Sequence, residues 1–493
     1  MAMTDPHPAT SELGFSSAKQ LSDGLANGRL TSTAIVTGLL SRREAIDAPS
    51  SATGLRSILA ISDDVFEQAV AADARRQKGA TLSALDGIPI VIKDNIEALG
   101  LPCTAGSTAL VGRPHGDAAL VTRLREAGLI IFGSTNLSEW ANLRSPESAS
   151  GWSAVGGLTA NPWATDRSAG GSSSGSGAAL AAGLIPLAIG TETDGSIVCP
   201  SSLNGVVGMK PTVGALPTSG IVPLSASQDS PGPMARSVED LHLLYSVLAQ
   251  RDEMAAMASL TPLSVAVATT WKTNHPKTDA LFDQVISQLS AAGLALHGRE
   301  VACPSRQNDH DELTVLLCEM EDDLSAYLAN RVGSPSTLRE VIAFEVAHHD
   351  IELAHFSHEF FEQACALGGR SASVYKDARH RSLEWAVTTC LEPALAGVEV
   401  LLAPTYGPAW KQDLILGEHG AKAAPTTMAP AIAGWPIACV PMGLVDAMPV
   451  GIGLIARPGD EAKILEVAAF IEATLALKRD GGFAPSFLAA RRG

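Results

Sequence analysis

Aromatic side chains make up only 4% of this 493-residue chain, and charged ones only 18%. Basic residues are the scarcer sign: 35 Lys and Arg stand against 52 Asp and Glu, for a net charge of -17. A nucleic-acid partner is therefore not expected, because phosphate backbones are bound by clustered Lys and Arg. The seven cysteines (Cys103, Cys199, Cys303, Cys318, Cys365, Cys390 and Cys439) form no C-x-x-C pair, which argues against a disulfide framework and a zinc site. Long apolar runs are also missing. The longest, Ala178 to Ile189, falls short of the roughly 20 residues a membrane span needs and contains Gly and Pro. "MAMTDPHPATSELG" has neither a basic patch nor an apolar run, so no signal peptide is expected and a cytoplasmic location is. No repeat and no low-complexity linker divides the chain, so a single domain over 1–493 is expected.

What is present alternates. Residues 30 to 78 read as helices; "GIPIVIKDN" reads as a buried strand that ends on Lys93; "DAALVTRLREAG", "LIIFG" and "TNLSEWAN" read as helix, strand and short helix. "GSGAALAAGL" has the small side chains of a closely packed helix, and "IPLAIGT" and "VVGMKPT" read as buried strands. From about Asp309 to Leu395 the pattern is almost unbroken helix, an insertion between the strand "LSVAVATT" and the strands "VEVLLAPT", "PIACVPMG" and "MPVGIGLIA". The class is α/β.

One segment is rich in Gly and Ser, from Arg167 to Ser202, and holds no histidine or lysine. Its "GSSSG" matches the G-x-S-x-G elbow with Ser173 at the centre, but the elbow needs a hydrophobic strand before it, and "NPWATDRSA" is polar. A flexible linker is excluded because apolar sequence follows at once and a second turn, "TETDGSIVCP", comes after it. Two glycine-rich turns bracketing a buried helix and strand can hold serine hydroxyls and offer backbone N–H groups to an oxyanion.

"GGSSSGSGAALAAGLIPLAIGTETDGSIVCPSSLNGVVGMKPT", together with "GIPIVIKDN" upstream and "AIAGWPIACVPMGLVDAMPVGIGLIA" downstream, resembles the amidase signature family over roughly residues 30 to 480. The resemblance implies a large central mixed β-sheet flanked by helices on both faces, a signature core at about 80–250, and no cofactor or metal. By position it makes Ser196 the nucleophile, Ser172 the bridging serine after a cis peptide, and Lys93 the base. It places the oxyanion on the backbone N–H groups of Thr193, Asp194, Gly195 and Ser196. "NLSEWAN", "GSSSGS" and "SQDSPGPMARSVEDL" look most like the family's peptide amidases, which remove a carboxyl-terminal amide. One departure is Asp194, where many relatives carry a second glycine.

For a lysine to act as base it must be neutral. Lowering its pKa from about 10.4 to between 7 and 8 takes roughly 3 to 4 kcal/mol, and burial at the end of an apolar strand is a suitable source. Asp94 would oppose this if it faced Lys93, but strand alternation turns it to the other side.

Ser150, Trp152, Tyr406 and Trp435 are candidates to line a substrate pocket, with Trp140 and Trp410 beside them. Ser16 and Lys19 have S-x-x-K spacing without a K-T-G partner. Lys210 reads as a structural lysine. His348, His349, His355 and His358 read as a polar helix face, with His355 and His358 on one side, rather than a metal site, since H-E-x-x-H is absent. The expected substrate is a small-molecule or peptide amide. Alternatives are an aryl acylamidase and the amidase subunit of a tRNA-dependent amidotransferase, and a homodimer is compatible with the sequence.

Overall fold

The computed structural model describes residues 10–51, 54–110, 112, 114–250, 264–415, 417–418, 421–477 and 485, so the amino-terminal stretch expected to hold no signal peptide lies partly outside the described residues. Eleven strands form the central sheet: β1 (Ile58–Ile61), β2 (Pro89–Lys93), β3 (Ile130–Thr135), β4 (Leu187–Glu192), β5 (Val207–Lys210), β6 (Ser230–Ala235), β7 (Ser264–Ala268), β8 (Ala295–Arg299), β9 (Val400–Pro404), β10 (Ile437–Val445) and β11 (Met448–Ala456). Their order across the sheet is β1-β3-β2-β4-β6-β5-β10-β11-β9-β7-β8. β3, β2 and β4 run parallel, as do β9, β7 and β8, while the strands between are antiparallel. The sheet is mixed, as the resemblance implies.

Period-two alternation delivers side chains to both faces. On β9, Val400 and Leu402 join a core with Phe282 and Ile464, while Leu401 and Ala403 join another with Val198, Trp385 and Ile432. Helices therefore cover the sheet on both sides, and strands buried on both faces read as continuous apolar runs. Among the described residues no helix is long and apolar enough to cross a membrane.

Three local differences from the sequence reading have physical causes. Residues 30 to 78 are not all helical: after α1 (Ser32–Ile46), the short run Ile58–Ile61 pairs antiparallel with β3 as an edge strand before α2 (Val65–Gln77). Four apolar residues are too few to distinguish strand from helix by period. "TNLSEWAN" gives only a 3₁₀ turn at Glu139–Asn142, in which Trp140, Ala141 and Asn142 have positive φ. β6 carries Pro231 and Pro233 and so does not read as a strand. It pairs with β4 along its whole length but with β5 only at Met234 and Ala235, which accommodates residues that cannot donate.

Helix α3 (Ser174–Ala181) lies wholly buried against the sheet. A Cβ at Gly175 would stand 2.2 Å from the Ser57 carbonyl oxygen, so glycine is what lets this helix approach. Helix α4 (Val198–Asn204) begins two residues after Ser196. The block expected at 309–395 is helical but interrupted, opening with α5 (Arg306–Leu328) and continuing through shorter helices to Ala394.

Candidate active site

β2 is buried throughout and ends at Lys93, whose side chain is fully enclosed. Its Nζ lies 2.7 Å from Ser172 Oγ, 2.8 Å from Thr191 Oγ1 and 3.1 Å from the Thr191 carbonyl oxygen. A neutral amine has two N–H groups and one lone pair. Thr191 accepts both N–H groups, which leaves the lone pair for the Ser172 hydroxyl, the arrangement a base requires. Burial pushes the Lys93 pKa down to about 7, against the opposing pull of the Asp229 and Glu192 carboxylates. Asp94 is turned away, as alternation requires: its Oδ2 accepts the Thr104 N–H at 3.2 Å and also the Thr104 hydroxyl.

Two turns meet at this lysine. The Gly171–Ser172 peptide is cis, and the Ser138 N–H donates to the Ser172 carbonyl at 3.1 Å. The Ser173 N–H donates to the Ser196 carbonyl at 3.0 Å, joining the first serine turn to the second. Ser173 Oγ donates to the Thr191 carbonyl (3.1 Å) and accepts the Thr191 N–H (3.2 Å), so it anchors the residue that holds Lys93. Ser174 Oγ donates back to the Gly170 carbonyl four residues earlier at 2.5 Å.

The turn Thr193–Ser196 is held from below by Glu192. Its Oε2 accepts the N–H groups of Ile197 (2.6 Å) and Val198 (2.8 Å) at the start of α4. Among the described residues no hydrogen bond uses the backbone N–H of Thr193, Asp194, Gly195 or Ser196, so all four remain available to an external acceptor. Gly195 has φ 75°, and a Cβ there would lie 2.6 Å from Tyr406 Oη, so only glycine fits this position.

A cavity of about 290 Å³ opens onto Ser172 and Ser196 and is lined also by Asp194, Tyr406, Trp410, Glu418 and, from α5, Leu316. No lysine or arginine is among its lining residues. Asp194 and Glu312 face one another; burial raises both pKa values, and the neighbouring Asp194 carboxyl raises that of Glu312 further. Gln228 Nε2 donates to Glu312 Oε1 at 3.0 Å. A larger hollow of about 770 Å³ at the far end of the sheet, lined by Val267, Lys272, Phe282 and Asp283, contains no comparable reactive cluster.

Of the residues expected at the pocket, Ser150 and Tyr406 line the cavity, and the Ser150 N–H donates to Glu418 Oε1 at 2.6 Å. Trp152 does not. Its ring packs edge-on against Phe356 and His355, with the Arg144 guanidinium over its face. Trp435 is likewise absent from the lining: it sits in an apolar cluster and offers its carbonyl to Lys210 Nζ at 2.7 Å, which gives that lysine its structural place. Lys19 pairs at the surface with Asp23.

The histidines do not share a helix face. His348 caps one short helix, His355 lies in a bend, and His358 precedes Glu359–Leu367 with Nδ1 2.8 Å from Glu345 Oε2. Residues 353–358 leave the helix, so helical spacing does not apply there. Sequence reasoning missed Thr191, Asn95 and Glu418. Asn95 was within reach, since it lies two residues beyond Lys93 and its Nδ2 donates to Thr191 Oγ1 at 3.0 Å. Glu418 is a lone acid in a loop and carries no local signal.

The amidase family model matches residues 36–465. The chain is 36% identical to the native peptide amidase of Stenotrophomonas maltophilia, with a TM-score of 0.87 over 95% of this chain and 98% of that one. It is 32% identical to a glutamyl-tRNA(Gln) amidotransferase subunit of Symbiobacterium thermophilum over 92% of this chain and 95% of that protein. It is also 34% identical to a probable amidase of Arabidopsis thaliana, over 86% and 84% respectively.

Proposed function

Because the chain belongs to the amidase family, we propose that it hydrolyses carboxamides through an acyl-enzyme, with the carboxyl-terminal amide of a peptide as the favoured substrate. The observation that carries this reading is the buried amine of Lys93 set 2.7 Å from Ser172 Oγ with its other contacts all acceptors. In this mechanism neutral Lys93 takes the Ser172 proton while Ser172 takes that of Ser196, and Ser196 Oγ attacks the amide carbonyl. The oxyanion forms against the free N–H groups of the Thr193–Ser196 turn. Collapse of the tetrahedral species breaks the C–N bond; the proton returns through Ser172 to the nitrogen, and ammonia leaves. Water attacks the ester by the same relay, regenerating Ser196 and releasing the acid.

The cavity's charge supports an uncharged amide end. Asp194 and Glu418 line it without a basic side chain, so a neutral carboxamide enters at lower electrostatic cost than a carboxylate. The test is ammonia release from peptide carboxamides set against arylamine release from anilides, each with Ser196→Ala as control. Ammonia release that disappears in the variant supports the proposal; arylamine release alone assigns an aryl acylamidase instead. The likeness to a tRNA-dependent amidotransferase component favours a second reading, in which the chain works within a complex. Robust hydrolysis by the isolated chain counts against that reading, and co-purification with partner subunits counts for it.

A further inference from the structure

The turn that carries Ser196 leaves the sheet at the end of β4 and is fixed on its carboxyl side by Glu192. Its amino side is fixed differently. The last register pair between β4 and β6 is Glu192 with Ser230, and one step beyond it Thr193 faces Asp229. Thr193 Oγ1 donates to Asp229 Oδ1 at 2.6 Å. The second oxygen, Oδ2, accepts the N–H groups of Leu224 (2.7 Å) and Ser225 (2.9 Å). Leu224 lines the cavity above Ser196, so one carboxylate ties the serine turn to the cavity wall. Asp229 also borders a second cavity of about 270 Å³, which Thr193 lines together with Asn95 and Thr191 from the lysine cluster.

We propose that Asp229 is a positioning residue for the reaction, tying the turn that carries Ser196 to the wall of the substrate cavity and presenting its negative charge to Lys93. The proposal rests on the assignment of Lys93 as base and of Thr193–Ser196 as the oxyanion turn. Three donors satisfy the carboxylate, which favours its charged form, while burial moves its pKa up to about 6. Near neutral pH it is therefore ionised. The charged groups acting on Lys93 are Asp229, before β6, and Glu192, on β4; Asp94 on its own strand is directed to Thr104. Both carboxylates favour the ammonium, so removing the Asp229 charge makes Lys93 easier to deprotonate.

The experiment compares wild type, Asp229→Asn, Thr193→Val and Thr193→Ser in kcat, KM and the pH profile of kcat/KM for a peptide carboxamide. Asp229→Asn is expected to move the acid limb to lower pH by about half a unit or more, a shift that loss of a purely structural contact does not produce. Thr193→Val, which cuts the tie without touching the charge, is expected to lower kcat about tenfold with KM little changed and the limb in place, while Thr193→Ser retains kcat within about threefold. An acid limb in Asp229→Asn that coincides with wild type overturns the proposal. If that variant does not fold, equal kcat in the valine and serine variants overturns it. A wild-type enzyme with no acid limb near neutral pH, or a fully active Lys93→Ala, refutes the underlying triad and not Asp229 alone.

Discussion

Carrying the enzyme from pH 5 to pH 9 titrates the buried amine of Lys93, and the structure sets the size of the response. An amine at the ordinary value of 10.5 would be neutral in about one molecule in 3000 at pH 7, whereas at about 7 it is neutral in about half. The downward shift is the work of burial, since the side chain is fully enclosed. The sign follows from the proposed chemistry: with Lys93 acting as the free base, kcat/KM rises with pH, passes half-maximum near 7 and then levels. At pH 6 it falls to about a tenth of the plateau. The same shift acts on stability. Because the unfolded chain binds this proton up to about pH 10.5 and the folded chain only up to about 7, the cost of burying Lys93 is largest below 7 and diminishes as pH rises between the two values. The assay is the initial rate of ammonia release at low substrate, run beside the rate of Ser196 labelling by a fluorophosphonate probe. Both should trace one limb. A midpoint above pH 9, or a limb that persists unchanged in Lys93→Ala, refutes the assignment.

Three further outcomes follow from other contacts. Ser196→Ala is expected to abolish covalent labelling while leaving the thermal unfolding midpoint nearly unchanged, and Ser172→Ala to slow labelling about 100-fold or more, read by gel fluorescence over time. Arg144→Met is expected to cost about 3 to 5 kcal/mol in denaturant unfolding. It strands buried Glu139, 2.6 Å away, and takes the cation from beside Glu345, 4.0 Å away, which keeps His358, and a loss below about 1 kcal/mol would show that this network does not bind the helical block to the core. A substrate with a free carboxylate beside the scissile amide is expected to show a kcat/KM about five- to thirtyfold below its neutral analogue, and Glu418→Gln to narrow that gap.

The features legible in the sequence were those whose cause is local. A strand that runs apolar through Ile92 and stops at a charge announces a buried lysine, and β2 places Lys93 Nζ against Ser172. Small residues in "GSGAALAAGL" announce a helix in close contact, and Gly175 sits against a backbone oxygen. What escaped depends on neighbours remote in the chain. Asp229 follows Thr193 by 36 positions and meets it only because β6 folds back along β4. Leu316 reaches the cavity from the helical block. Trp152 failed as a pocket residue because Arg144 and Phe356 draw its ring into a separate cluster, and an aromatic side chain near the right motif carries no sign of which wall it will join.

The acidity of the cavity bears on turnover as well as on recognition. In the proposed reaction, hydrolysis converts a neutral amide into a carboxylate in a cavity where Asp194 and Glu418 stand without a basic neighbour among the lining residues. Ground-state binding of a neutral substrate is left nearly untouched, whereas the product acquires a charge that the lining repels, and repulsion of this kind favours release. Asp194 can take part without disabling the turn it belongs to. Burial raises the pKa of Asp194 and, further, that of its neighbour Glu312, while the backbone N–H groups of the turn remain free for an oxyanion. An aspartate at this position thus takes no backbone donor away from the proposed oxyanion turn.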